Sequence, residues 1–132
     1  MAIREKIKQS LKINTKELDL CLSLLTYFEG QAREPLPFYM YAQIAERFPK
    51  ASSKDLVQVL DVLAQSRFGA LKKIYFIFLS DDSIYEFNTK EIIEIIKNGS
   101  FEHPETNKTI EDLNKISFAY EIGEELLKEV QE

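Results

Sequence analysis

The sequence "FEHPETN" holds the chain's one histidine, His103, between Glu102 and Glu105, the kind of donor set that can gather around a divalent cation. Pro104 and the polar residues around it make His103 a turn residue instead, so no metal site is assigned. Cys21 is the one cysteine, which rules out an intrachain disulfide and a zinc site built on paired Cys-x-x-Cys groups. Sequence alone places no Cys-His pair together, and among four glycines there is no phosphate-cradling loop. Fourteen acidic residues lie beyond residue 73. At that density they read as a solvated face before they read as a general acid and base. No catalytic, cofactor-binding or metal-ligating residue is assigned, and the chain is read as not an enzyme.

A second group of residues suits binding. In "SSKDLVQVLDVLAQSRFG", Lys54, Gln58, Asp61 and Gln65 recur at i, i+4, i+7 and i+11, which puts them on one side of a helix. A lysine and two glutamines match phosphates and base edges, while Asp61 among them does not. Lys50, Arg67, Lys72 and Lys73 stand ready to add phosphate contacts through counterion release. The competing reading is a solvated helix face with ordinary lysines.

Charge along the chain is uneven. Residues 1–13 carry +3, 14–34 carry −2, 35–73 carry +3 and 74–132 carry −9, within a formal total of −5. The long acidic segment opposes approach to DNA unless it faces away. "LKKIYFIFLSDDSIYEF", residues 71–87, reads as a hairpin with Lys72 and Lys73 at its base and Asp81 and Asp82 at its tip. Those lysines lie roughly 20 Å or more from the tip, beyond the Debye length, so they cannot screen the two carboxylates from a phosphate.

The elements that must position these groups follow from periodicity. With 132 residues and 45% hydrophobic residues, the chain is read as a single domain able to build a core without metals or disulfides. Ile3, Ile7 and Leu11 form a narrow stripe on an amphipathic helix over residues 1–13. Asn14 with Glu17 opens a core helix carrying Leu18, Cys21, Leu22, Leu25 and Phe28, up to Gly30. Pro35 and Pro37 break the chain, and a helix resumes through "YMYAQIAERF" to Pro49. Ser52 or Ser53 caps the next helix, with Leu56, Val59, Leu60 and Leu63 inward and Gly69 at its end.

In the strand that follows, Ile74 to Leu79 are apolar on both faces, as in a strand covered on two sides, with Ile74, Phe76 and Phe78 or their alternates buried. Asn88 with Glu91 starts a short helix closed by Gly99. A loop with a small hairpin across "PETNK" comes next, then a strand "KISFAYEI" and a closing helix with Leu126, Leu127 and Val130 inward.

This is an α+β class. Three helices followed by a hairpin resemble the winged-helix domain over residues 15–87, and "YAQIAERFPKASSKDLVQVLDVLAQS" resembles its helix-turn-helix. Residues 88–132 then form an acidic C-terminal extension of helix, strand and helix. The resemblance implies either a DNA-binding transcriptional regulator or a protein-protein interaction module; the acidic tip and the acidic segment favour the module. In size and charge the chain also resembles small acidic secretion chaperones, although three helices before the first strand do not match their order.

The expected partner is another protein, including a second copy as a homodimer through the N- and C-terminal helices, with nucleic acid disfavoured. No apolar stretch is long enough to span a bilayer and no signal-peptide core is visible, so a cytoplasmic location without membrane association is expected.

Overall fold

The structure is a computed structural model that describes residues 2–10 and 15–131. Leu11 of the expected N-terminal stripe, Lys12, and Asn14 as the cap of the next helix lie outside the described residues. The chain has the expected α+β build and divides into two compact units, Met1–Lys73 with Ala119–Glu132, and Ile74–Phe118. The second is therefore inserted into the first. The units do not divide at residues 87 and 88, where the winged-helix resemblance ends and the acidic extension was drawn.

In the first unit, α1 (Ile3–Ser10) buries Ile3 and Ile7, and the Ile3 N–H donates to Glu129 Oε1 at 2.8 Å. Both described residues of the stripe pack within the chain. Arg4 is ion-paired with Glu29 of α2 (Thr15–Gln31) and reaches Thr26 as well. Helix α2 buries Cys21, Leu24, Leu25 and Phe28. Leu18 and Leu22, expected inward, are only half-buried, because α2 packs on both α1 and α4 and its core arc is centred nearer Leu24.

Residues Tyr39–Met40 form the strand β1, where a helix was expected to begin. Tyr39 is fully buried, donates its hydroxyl to Gln31 Oε1 at 3.2 Å and accepts from the Leu36 N–H at 3.0 Å. Those bonds and its pairing opposite Tyr120 hold the backbone extended, so α3 spans only Tyr41–Arg47.

Helix α4 (Ser53–Leu63) starts as expected, with Ser52 Oγ accepting from the Asp55 N–H at 3.1 Å. Its inward residues are Leu56, Val59, Leu60 and Leu63. It ends at Leu63, well before Gly69. The Phe68 and Gly69 N–H groups both turn back to the Gln65 carbonyl, and buried Phe68 and Ala70 draw the chain into the core before a further helical turn can form. Gly69 adopts φ +64, a conformation that disfavours other residues. Its carbonyl lies against Gly123, where an added Cβ would come within 2.1 Å of the oxygen. The unit closes with α6 (Glu124–Gln131), which buries Leu126 and half-buries Leu127 and Val130.

Strands β2 (Leu71–Phe78) and β6 (Ser117–Ile122) run from one unit into the other, and the sheet order is β1-β6-β2-β3. In the second unit, β2 and β3 (Ile84–Phe87) form the expected hairpin, with Ile77 opposite Tyr85 and Phe78 opposite Ile84. Asp82 takes φ +67 in its turn, and Asp81 accepts from the Ser83 N–H and hydroxyl. Ile74, Phe76 and Ile77 are buried, but Phe78 at the distal end is 57% exposed, so the strand is covered on both faces only over its lower part.

Helix α5 (Thr89–Asn98) carries the expected capping box of Asn88 and Glu91 and ends at Gly99 with φ +71. The small hairpin across "PETNK" is present as β4 (Phe101–Glu102) and β5 (Thr109–Ile110), and a 3-10 turn covers Leu113–Lys115. The core of this unit is Ile77, Phe87, Ile95 and Phe101.

Candidate interaction surfaces

The basic and amide residues expected to act as one face sit in different surroundings. Lys50 and Gln58 line a concave region of about 370 Å³ between the starts of α2 and α4, together with Lys16, Glu17, Asp55 and Val59. Positive and negative groups alternate there, and Lys16 pairs with Asp55 at 3.5 Å. Lys54 is exposed on the first turn of α4. Gln65 has left the helix and is engaged with Arg67, whose Nε donates to Gln65 Oε1 at 2.7 Å while its guanidinium covers the Phe68 ring.

Lys72 and Lys73 alternate along β2, so they point to opposite faces. Lys72 is exposed, whereas Lys73 Nζ donates to Asp61 Oδ1 at 3.1 Å and lies 5.8 Å from the centre of the Tyr120 ring. Asp61, the residue that fitted a nucleic-acid face badly, is thus a structural anion. It neutralises one of the lysines meant for phosphate. The two acidic residues of α4 each hold a lysine, and a continuous positive stripe along α4 and β2 does not form.

The loop around His103 is a closed turn. His103 Nδ1 accepts from the Glu105 N–H at 3.1 Å, and the Glu105 carboxylate accepts from the Ser80 N–H and hydroxyl at 3.0 and 2.7 Å. The Ser80 hydroxyl holds the Glu105 carboxyl below its ordinary pKa range, and the Ser83 hydroxyl does the same for Asp81. Among the described residues, no three His, Cys, Asp or Glu side chains gather as metal ligands. Burial, and secondarily the Glu17 charge, pushes the Cys21 thiol up to about 12, which keeps it in the unreactive protonated form.

A surface that charge reasoning passed over is apolar. Helix α5 carries Ile92, Ile93, Ile95 and Ile96, of which only Ile95 is buried. Ile93 is 60% and Ile96 72% exposed. Ile92, Ile95 and Ile96 line a groove of about 200 Å³ together with Tyr75, Leu113, Ile116 and Phe118. The pattern "EIIEII" already held the signal: four isoleucines spread over about 160° of a helix at 100° per residue, more than a short helix docked on one side can cover.

No family model, curated protein or solved structure matches the chain. No helix among the described residues is long and apolar enough to cross a membrane.

Proposed function

We propose that this chain is a non-enzymatic protein-protein interaction module, in which a winged-helix-like order of helices and hairpin carries an apolar docking surface on the inserted unit. The observation that carries the reading is the groove lined by Ile92, Ile95 and the exposed Ile96. An exposed isoleucine on the wall of an apolar concavity is what a protein interface uses at its centre, where an anchor side chain is desolvated.

The fate of the basic residues supports the same choice. A DNA-binding regulator needs free cations along its recognition helix, and here Lys73 is held by Asp61 while Asp81 and Asp82 stand at the hairpin tip. Lys50, Lys54, Arg67 and Lys72 remain as exposed cations of that face.

The test is affinity capture from the native cell at moderate salt, run with and without nuclease, using the wild-type chain and Ile96→Glu in parallel. A defined protein retained through nuclease and lost with Ile96→Glu is the expected result. Recovery that depends on nucleic acid, and that falls with the double change Lys54→Ala and Lys72→Ala, would replace this reading with the DNA-binding one.

A further inference from the structure

We infer that the outer edge of β3 accepts an extended segment of another protein as an added strand, and that this segment carries a lysine or arginine two residues before an apolar side chain. The inference goes beyond the groove beside α5 and stands on different groups. In the sheet order β1-β6-β2-β3, β3 is an end strand. The Leu79 N–H donates to the Ser83 carbonyl at 2.8 Å, and the pairs of Ile77 with Tyr85 and of Tyr75 with Phe87 keep that register. Antiparallel ladders alternate, so Tyr85 and Phe87 bond inward to β2 while Ile84 and Glu86 turn their N–H and C=O groups outward. None of those outward groups has a partner among the described residues. The opening is bounded at both ends. The next outward donor, the Asn88 N–H, is taken by Glu91 Oε1 at 3.0 Å, and before Ile84 the chain enters the turn in which the Asp82 N–H donates to the Leu79 carbonyl at 3.1 Å.

The unmet groups select the shape of the occupant. An extended chain presents its own N–H and C=O to one side at every second residue, roughly 6.8 Å apart, the spacing that separates Ile84 from Glu86. A helix has spent its backbone groups internally and cannot answer them. The side chains then select the sequence. Half-buried Ile84 and exposed Glu86 share one face of β3. Ile84 lies directly opposite Phe78, itself 57% exposed, so an apolar side chain across from Ile84 extends an apolar strip that is already open. Glu86 has no ion-pair partner among the described residues, and residues 80–88 hold Asp81, Asp82 and Glu86 with no cation. A cation across from Glu86 completes a cross-strand pair, and an antiparallel segment meets Glu86 two residues before it meets Ile84.

The same side chains exclude a second copy of this edge. Pairing Ile84 with Glu86 of the copy sets each isoleucine against a carboxylate, and pairing Glu86 with Glu86 sets like charges directly opposite. Pairing Ile84 with Ile84 brings Glu86 against Asp82, whose φ of +67 is not that of a strand. A charge on an edge strand that blocks self-pairing in this way still admits a strand of the opposite sign.

The test uses the full isotope-labelled chain and three synthetic peptides of about eight residues, the length of an ordinary strand, in which threonine alternates with the recognised side chains. The first peptide carries arginine two residues before isoleucine, and the second has glutamate in place of that arginine. The third is the arginine peptide N-methylated at the arginine and the isoleucine, which removes the donors that face the edge. The arginine peptide at up to about 1 mM should slow amide hydrogen exchange at Ile84 and Glu86 and leave the already bonded Tyr85 and Phe87 amides unchanged. The glutamate peptide should bind at least about fivefold more weakly at roughly 50 mM salt, and the N-methylated peptide should not bind. Glu86→Arg should reverse the order of the two charged peptides while its circular dichroism matches the wild type.

Equal affinity for the arginine and glutamate peptides, or an order that Glu86→Arg leaves as it was, would overturn the assigned sequence. Retained affinity in the N-methylated peptide, or no added protection at Ile84 and Glu86, would overturn the edge. Ile96→Glu changes no group of the edge and should leave arginine-peptide affinity unchanged; its loss there would put the peptide in the groove and overturn the edge as well. Failure of the edge leaves the interaction reading to the capture experiment with Ile96→Glu, which decides it separately.

Discussion

The Tyr120 hydroxyl donates to Asp61 Oδ1 at 2.8 Å, tying the last strand to α4 across 59 residues of sequence. The same oxygen accepts from Lys73 Nζ. Tyr120 is fully buried and faces Tyr39 across the β1–β6 pair, so this one carboxylate holds two side chains of the first unit's sheet, Tyr120 and Lys73. Tyr120→Phe should lower stability by about 1 kcal/mol, the net worth of one hydrogen bond to a partly exposed group. Asp61→Ala should cost roughly twice that, since it removes the acceptor of both donors. Urea unfolding with an unchanged m-value would measure each.

The glycines at 30 and 123 should respond in opposite directions. Gly123→Ala puts a Cβ within 2.1 Å of the Gly69 carbonyl oxygen, a backbone atom that cannot move without opening the turn at residues 65–69. A loss of about 3 kcal/mol or more is expected. Nothing lies within 4 Å of a Cβ at Gly30, near the end of α2, and Gly30→Ala should stabilise by about 0.5 kcal/mol through reduced freedom of the unfolded chain. Thermal unfolding of the two variants side by side tests the sign of both.

On α5, adjacent isoleucines should differ sharply in their effect on folding. Ile95→Ala empties a buried position in the Phe87 and Phe101 cluster and should cost about 2 to 4 kcal/mol. Ile96→Ala, at 72% exposure, should change stability by no more than about 0.5 kcal/mol. A comparable loss at Ile96 would mean that it belongs to the core.

Cys21 should be silent to thiol reagents in the native protein near neutral pH and react only on unfolding. Its folded pKa of about 12 stands above the ordinary 9.0, so the unfolded chain loses the proton first as pH rises. The sign follows from linkage: the thiol's contribution is intact below the unfolded value and is lost progressively between the two values. At about 1.4 kcal/mol per unit, the window approaches 4 kcal/mol at its upper limit. Cys21→Ala should flatten that part of the alkaline stability curve, measured by urea unfolding between pH 8 and 10 against the wild type.

Much of the architecture was legible because it rests on local chemistry. The Asn88 and Glu91 capping box and the Ser52 cap appear where the pattern put them, as does the left-handed Gly99. Each of these is satisfied within a few residues, so neighbours in sequence suffice to specify it. The end of α4 was not legible. Helical periodicity continues past Leu63, but Phe68 and Ala70 are pulled into a core whose other members come from distant segments. Tyr39 is extended for the same reason, since its pairing partner lies at residue 120.

The binding residues divide in the same way. Their identities were readable, and their company was not: Lys73 looked like a phosphate ligand until Asp61 proved to lie within 3.1 Å of it. The groove shows the converse. The surplus of isoleucines on α5 is written in residues 92–96, yet their exposure depends on what packs against them.

By itself, then, the order of residues determined the class of fold, the helix starts at Ser52 and Asn88, the stop at Gly99, and the placing of acidic charge late in the chain. Only the tertiary structure decided which charges are neutralised, which strands lie beside each other in the order β1-β6-β2-β3, and which isoleucines face water. The physical reason is range: a cap or a turn is complete within one helical turn of chain, whereas an ion pair, a strand register or a buried side chain needs partners that folding alone brings near.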